Sequence, residues 1–487
     1  MHFGVESAFR KRRIFLPSPK AAPPMRLTPL FLLTTALIPA AAAAQQATLP
    51  PQTLAAIDAA ASQTLNLTGV PSASLAVVKV GQIVLERAYG LARIMPPMLA
   101  TPATEYPIGS ISKQFTASLI LLLQQDGKLK LDDPVGRFLP ELTGADKITI
   151  RQVLSHTAGY TDYWPEDYSP ASLQKPTTPQ AIVDDWARRK LDFAPGTQWQ
   201  YSNTGYTIAG LIAEKAGGAP LFDQLSTRIF QPLHMTQVWN YDLRGLPPGI
   251  SGYERYGFGP PRPAPLDRPG WPFGAFGLAM TPHDLALWDI SLINRSVLSP
   301  QSYDALETSG KTANGVKTGY GLGIAVGSIG GHRYLKHSGE ATGFVAENDV
   351  YPDDHAAITV LTNQDAARAA AVIARRVAGI VVGITAAGIE DAHVRRVIDI
   401  LNSLAQGQID QSLLNDNAKS YFSPGVLHDY AESLSPMGPP LAARERSHED
   451  RGGMVFRSFD VTYTGKDVTV TTYEMPNGTL DQFLIVP

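Results

Sequence analysis

The fold and the chemistry of this chain both turn on Tyr106 to Gln125, which reads YPIGSISKQFTASLILLLQQ. A short turn, Ile108-Gly109-Ser110, feeds a strongly apolar helix. Ser110 and Lys113 stand three residues apart, which on a helix places both side chains on one face, about one turn apart. Phe115, Leu119, Leu122 and Leu123 follow at helical spacing and predict a helix sunk in a core. Burial disfavours a charged lysine and lowers its pKa, so Lys113 becomes a candidate base beside a hydroxyl nucleophile. The helix N-terminus adds free N–H groups and a positive dipole end for a developing oxyanion. Ser-x-x-Lys alone is a weak signal, because it recurs by chance. The rest of the chain has to support it.

Towards the N-terminus, residues 51–70 carry helical spacing, and Ser74–Val80 and Ile83–Tyr89 flank Gly81-Gln82 as a β-hairpin. Further out, Met25-Arg26, the apolar run 27–38 (LTPLFLLTTALI), Pro39 and the alanines 40–44 form the pattern of a secretory signal peptide. The run is shorter than the ~20 apolar residues a membrane span needs. The expectation is a signal peptide at 25–44, a periplasmic or secreted product, and no stable membrane span after cleavage. Residues 1–24 read as an extension ahead of a true start at Met25.

Towards the C-terminus, the Ser110 helix should end near Asp126-Gly127. In Thr149–Tyr160 (TIRQVLSHTAGY), Ser155 and His156 are adjacent, and neighbours on a helix do not face each other. His156 is therefore read as structural. Residues 161–170 form an aromatic, proline-broken loop suited to lining a pocket. A Pro195-Gly196 turn precedes Gln198–Asn203 (QWQYSN) and an apolar helix at 205–216. Residues 241–273 are either an irregular surface loop or a substrate-facing insertion. Ala279–Ile293 should be a helix capped by Thr281. Residues 320–326, 332–337, 345–351 and 356–361 read as strands that join the N-terminal hairpin in one antiparallel sheet, covered by a helix at 366–384.

A break at 386–388 precedes an amphipathic helix at 389–405 and three strands, 454–463, 468–475 and 480–486. The expected class is α/β (α+β): an antiparallel sheet flanked by helices, with a helical subdomain and a small C-terminal α+β domain. The expected divisions are 1–44, 50–385 and 389–487.

Composition excludes several functions. The 487 residues are 44% hydrophobic and 17% charged, with a net charge of -3, which fits a packed globular protein with no electrostatic call on nucleic acid. There is no cysteine, hence no disulfide, cysteine nucleophile or thiolate metal site. Nucleophile-elbow serines, zinc helices, phosphate loops and dinucleotide fingerprints are all missing. No metal or organic cofactor is expected.

Two further triplets support Ser110 and Lys113. Tyr201-Ser202-Asn203 opens a helix, where a buried tyrosine can relay a proton and an asparagine can hold a substrate amide. His337-Ser338-Gly339 ends a strand, where Gly339 allows close backbone approach. Lys317-Thr318-Gly319 competes for that role, but it stands at the entry to the first strand of the group.

Together these stretches resemble the serine β-lactamase and penicillin-binding-protein superfamily, with class C β-lactamases, D-alanyl-D-alanine carboxypeptidases, D-aminopeptidases and family VIII esterases as the nearest groups. The resemblance rests on IGSISKQFTA at 108–117, VLSHTAGY at 153–160, YSNTGYTIAGLI at 201–212, IFQPLHM at 229–235, YGLG at 320–323, HSGEATGF at 337–344 and VLTN at 360–363. It covers roughly residues 50–385 and gives the β-lactamase/transpeptidase-like fold as the expected architecture. It implies an acylated Ser110, a base partner Lys113, a proton-shuttling Tyr201, a substrate-orienting Asn203, and an oxyanion hole at the N–H groups of Ser110 and Glu340. Which of Lys113 and Tyr201 is the base stays open.

His337, with Ser338, Gly339 and Glu340, takes the substrate-binding place where lactamases usually carry lysine, which weighs against β-lactams and for neutral esters. The implied substrate is a small molecule or peptide, including peptidoglycan-derived ones. The competing reading is a non-catalytic penicillin-binding or peptidoglycan-sensing protein.

Overall fold

In the computed structural model, the described residues are 49–486 without 165–168, 256–259, 366, 385, 452–453, 465 and 476. The expected signal peptide lies outside them. Helix α1 (Pro51–Thr68) ends where Gly69, at φ 71°, donates back to Leu65 O. Strands β1 (Ser72–Lys79) and β2 (Gln82–Arg93) form the expected hairpin, and a two-residue β3 (Met98–Leu99) lies beyond. Helices α2 (Ser112–Gln125), α3 (Ile150–Leu154), α4 (Asn203–Gly217) and α5 (Pro282–Asn294) follow. Strands β4 (Ala325–Ile329), β5 (His332–Ala341), β6 (Phe344–Tyr351) and β7 (Ala356–Thr362) lead to α6 (Ala369–Val381).

The two ends of this region meet in one seven-stranded sheet, ordered β3-β2-β1-β7-β6-β5-β4 and antiparallel throughout. β1 lies inside it and is buried on both faces, which is why its sequence is nearly continuously apolar. Ala76 and Val78 face a core shared with α2, α4 and α5, whereas Leu75 and Val77 face α1 and α6. Residues 320–324 are not a strand as expected. Gly321 and Gly323 pack against the Leu306 and Lys113 carbonyls there, and regular pairing starts only at Ala325.

The C-terminal helix begins at Ala386, three residues earlier than expected, as α7 (Ala386–Leu404). The chain turns instead at Gly383, whose φ is 91°. After two short helices (Asp416–Tyr421 and Pro424–Leu434) come four strands rather than three: β8 (Ala442–Arg451), β9 (Met454–Tyr463), β10 (Lys466–Glu474) and β11 (Leu480–Val486). β8 is an edge strand of charged residues, AARERSHEDR. Such a sequence protects an edge but carries no apolar alternation to reveal it. This sheet has its own core, built on Val397, Leu401, Phe459 and Phe483. No helix among the described residues is long and apolar enough to cross a membrane.

Candidate active site

Ser110 sits in a tight turn, Gly109–Ile111, that runs straight into α2. The turn requires glycine at 109, because its φ is 55° and a Cβ there would lie 2.3 Å from Glu340 N. Every residue from Ser112 to Leu123 is buried, while Ser110 keeps a partly open surface. Lys113 has no exposed surface. Its Nζ lies 2.9 Å from Ser110 Oγ, 2.7 Å from Asn203 Oδ1 and 3.0 Å from Ala275 O. Burial pushes its pKa down, opposed by the nearby Asp162 carboxylate. A neutral amine here can give its two hydrogens to the Asn203 and Ala275 oxygens. The lone pair then faces Ser110.

The start of α4 supplies the second wall. Ser202 caps the helix by accepting from Gly205 N, which fixes Tyr201 just outside it and Asn203 just inside. Lys113 Nζ is 4.8 Å from the centre of the Tyr201 ring. The Tyr201 hydroxyl interacts with Ser110, but burial dominates and raises its pKa. Asn203 is oriented by Asp162, which accepts from Asn203 N at 2.9 Å and from Nδ2 at 3.2 Å. That forces Oδ1 towards Lys113. Asp162 is itself raised by burial.

The third wall is the second half of β5. The β4 ladder stops at Lys336, so residues 337–341 run along the Ser110 turn instead. A Cβ on Gly339 would lie 1.9 Å from Ile108 O, so this approach also requires glycine. Glu340 N borders Gly109, the position expected of an oxyanion donor. His337 is buried, and both its ring nitrogens are engaged. Nδ1 faces Ser338 O at 2.5 Å and must donate to it; Nε2 then accepts from Tyr320 OH at 2.7 Å. Burial, with Lys113 nearby, pushes its pKa down to about 3. Ser338 is exposed and brings its carbonyl, not its hydroxyl, to these contacts. Lys317 is exposed, and its backbone bridges Lys311. Among the described residues no hydrogen bond ties it to Ser110 or Lys113.

The structure thus gathers Ser110, Lys113, Tyr201, Asn203, His337, Gly339 and Glu340. Sequence reasoning missed Asp162, Tyr320 and the Ala275 carbonyl. Asp162 carries no local signal, since its partner lies 41 positions on; Tyr320 stood within the quoted YGLG. Among the described residues no group of three or more His, Asp or Glu is placed to hold a metal ion.

Residues 57–381, more than half of the chain, match the family described as Beta-lactamase. The chain belongs to the beta-lactamase family. It is 30% identical over 337 residues to the D-aminopeptidase of Cereibacter sphaeroides, covering 65% of this chain and 61% of that one. It spans 64%, 56% and 66% of the length of three further curated relatives. Among solved structures it is similar to a D-stereospecific amidohydrolase from Streptomyces sp., at 26% identity and a TM-score of 0.60 over 68% of this chain and 99% of that one. The octameric penicillin-binding protein homologue from Pyrococcus abyssi shares the fold, with a TM-score of 0.61 over 86% of this chain and 96% of that one at 20% identity.

Proposed function

We propose that this protein is an exported serine hydrolase that works through an acyl-enzyme on Ser110. The observation that carries the reading is Lys113 Nζ, buried, held by two carbonyl oxygens and 2.9 Å from Ser110 Oγ, with burial pushing its pKa down to about 7. Lys113 takes the Ser110 proton as Oγ bonds to the substrate carbonyl carbon. Tyr201, kept as a phenol by its raised pKa, relays a proton to the leaving amine or alcohol as its bond to that carbon breaks. The N–H groups of Ser110 and Glu340 receive the oxyanion. Water then attacks the ester with the same groups in reverse roles.

The substrate class is a D-amino-acid amide or peptide, or a small carboxylic ester. The relatives named for D-aminopeptidase and D-stereospecific amidohydrolase activity support it. Neutral acyl groups are favoured over carboxylate-bearing β-lactams, because the neutral His337 offers no cation and has both nitrogens engaged. The C-terminal helix and sheet are assigned an accessory role.

The test is Ser110→Ala, assayed with p-nitrophenyl acetate, D-amino-acid amides and a chromogenic cephalosporin, and by fluorophosphonate labelling. Labelling should vanish and turnover should fall by about 10⁴-fold or more. Wild-type labelling without turnover on any substrate would favour the non-catalytic penicillin-binding reading.

A further inference from the structure

His156 follows α3 at a φ of 59°, a left-handed conformation uncommon for any residue with a side chain. That conformation turns its ring into the interior, where 2% of the residue remains exposed. Three contacts then converge on one stretch of chain. The His156 carbonyl accepts from Gln200 N at 3.0 Å. Its Nδ1 accepts from Ser202 N at 3.1 Å. Its ring lies 4.3 Å, centre to centre, from the Tyr201 ring between them. His156 therefore grips the residue before Tyr201, the residue after it, and Tyr201 itself.

The other ring nitrogen points away from any role in proton transfer. With Nδ1 accepting, the neutral imidazole carries its hydrogen on Nε2. That atom is buried and has no hydrogen-bond partner among the described residues. The surroundings are aromatic: Tyr320 at 4.8 Å, Tyr206 at 5.3 Å and Trp199 at 5.9 Å between ring centres. Burial and the neighbouring Lys113 and His337 oppose a charged ring. An imidazole kept neutral, with an N–H aimed at no oxygen, is fitted for shape rather than for acid–base work.

We propose that His156 is the positioning residue for Tyr201, holding the phenol ring beside Lys113 and its hydroxyl against Ser110. This rests on the proposed acyl-enzyme reading of the site. His156 acts only through Tyr201 and touches no reacting atom. Two variants divide its contacts. His156→Asn keeps a side-chain oxygen to accept from Ser202 N and tolerates the left-handed backbone, but it loses the stacked ring. His156→Phe keeps the ring and loses the acceptor.

The experiment is steady-state hydrolysis of p-nitrophenyl acetate by the full chain, with each variant made in wild-type and in Tyr201→Phe backgrounds. Misplacing a reacting group by about 1 Å can cost on the order of 10²-fold. The expected result in the wild-type background is a kcat reduced by roughly 10- to 100-fold with little change in KM. In the Tyr201→Phe background, the same substitutions should cost almost nothing more, because the hydroxyl they position is already gone. Equal losses in the two backgrounds would overturn the proposal, as would a rise in KM at constant kcat. If one variant fails to fold, the other carries the test. Activity surviving in Ser110→Ala would overturn the acyl-enzyme reading and this proposal together, whereas additive losses would overturn this proposal alone.

Discussion

Lys113 and Gln114 are neighbours on one helix, both without exposed surface, and each leads into a different polar cluster. Behind Gln114 the cluster is closed. Trp288 Nε1 donates to Gln114 Oε1 at 2.7 Å, Gln114 Nε2 to Asn348 Oδ1 at 3.0 Å, and Asn348 Nδ2 to Asp289 Oδ1 at 2.8 Å. Thr359 Oγ1 completes it at 3.0 Å from Asp289 Oδ2. In front of Lys113 the cluster is open, ending on the hydroxyl of Ser110, a residue that is only partly buried. Both regions obey the rule that buried polar groups find partners. What separates them is where the chain of contacts ends: inside the protein for one, at an accessible nucleophile for the other. Burial of polar residues therefore marks the structural cluster as strongly as the chemical one.

Substituting each neighbour by methionine is the sharpest way to break this contrast. Lys113→Met should lower turnover by on the order of 10⁴-fold, since the nucleophile and its base act as a unit. Gln114→Met should leave turnover nearly intact. It strands Trp288 Nε1 and one Asn348 oxygen, and an orphaned buried group costs about 1–3 kcal/mol. Steady-state kinetics and denaturant melts on both variants decide the matter. A Gln114→Met enzyme that is stable but inactive would show that the closed cluster also takes part in the chemistry.

The contrast also explains what could be read in advance. Ser110 and Lys113 were legible because their spacing is local, and the sheet was legible because β1 and β7 are nearly continuously buried and glycines separate or flank the strands. The Gln114 cluster was not, since its partners lie 174 and 234 positions away. The reading of His156 as structural rests on its lying within a helix. In the structure α3 ends at Leu154 and His156 takes a positive φ, so the rule about adjacent helical residues did not apply to it. Strand β8 hid because a charged edge has no apolar face to advertise.

His337→Lys, buried beside the open cluster, should have a smaller effect. Histidine at a pKa of about 3 is neutral throughout the working range. A lysine cation would add a charge-assisted contact of ~1.5–3 kcal/mol to a substrate carboxylate, against ~0.5–1.5 kcal/mol for a neutral hydrogen bond. The expected gain in kcat/KM for a chromogenic cephalosporin at pH 7.5 is about tenfold, at ~1.4 kcal/mol per decade, with p-nitrophenyl acetate little changed. Efficient cephalosporin hydrolysis by the wild type, with no gain in the variant, would remove His337 from substrate choice.

Asp289, at the far end of the closed cluster, should have the least influence on turnover and a clear one on stability. Burial is the main cause that raises its pKa to about 7, against the lowering effect of Asn348 and Thr359. An unfolded aspartate titrates near ~3.9. Between those values the folded protein holds a proton that the unfolded chain has released, so stability falls as pH rises from about 4 to about 7 and is level above that. Three units at ~1.36 kcal/mol each set the change at roughly 4 kcal/mol.

Asp289→Asn removes the titration without removing the contacts. Its Oδ1 can accept from Asn348 Nδ2, and its Nδ2 can donate to the Thr359 hydroxyl. Wild type and variant should melt alike near pH 4 and diverge through pH 7, with the variant more stable at pH 8. Their kcat values should agree at any pH where both are folded. Parallel melting curves across that range would mean that burial does not raise the Asp289 carboxyl and that the closed cluster holds it ionised.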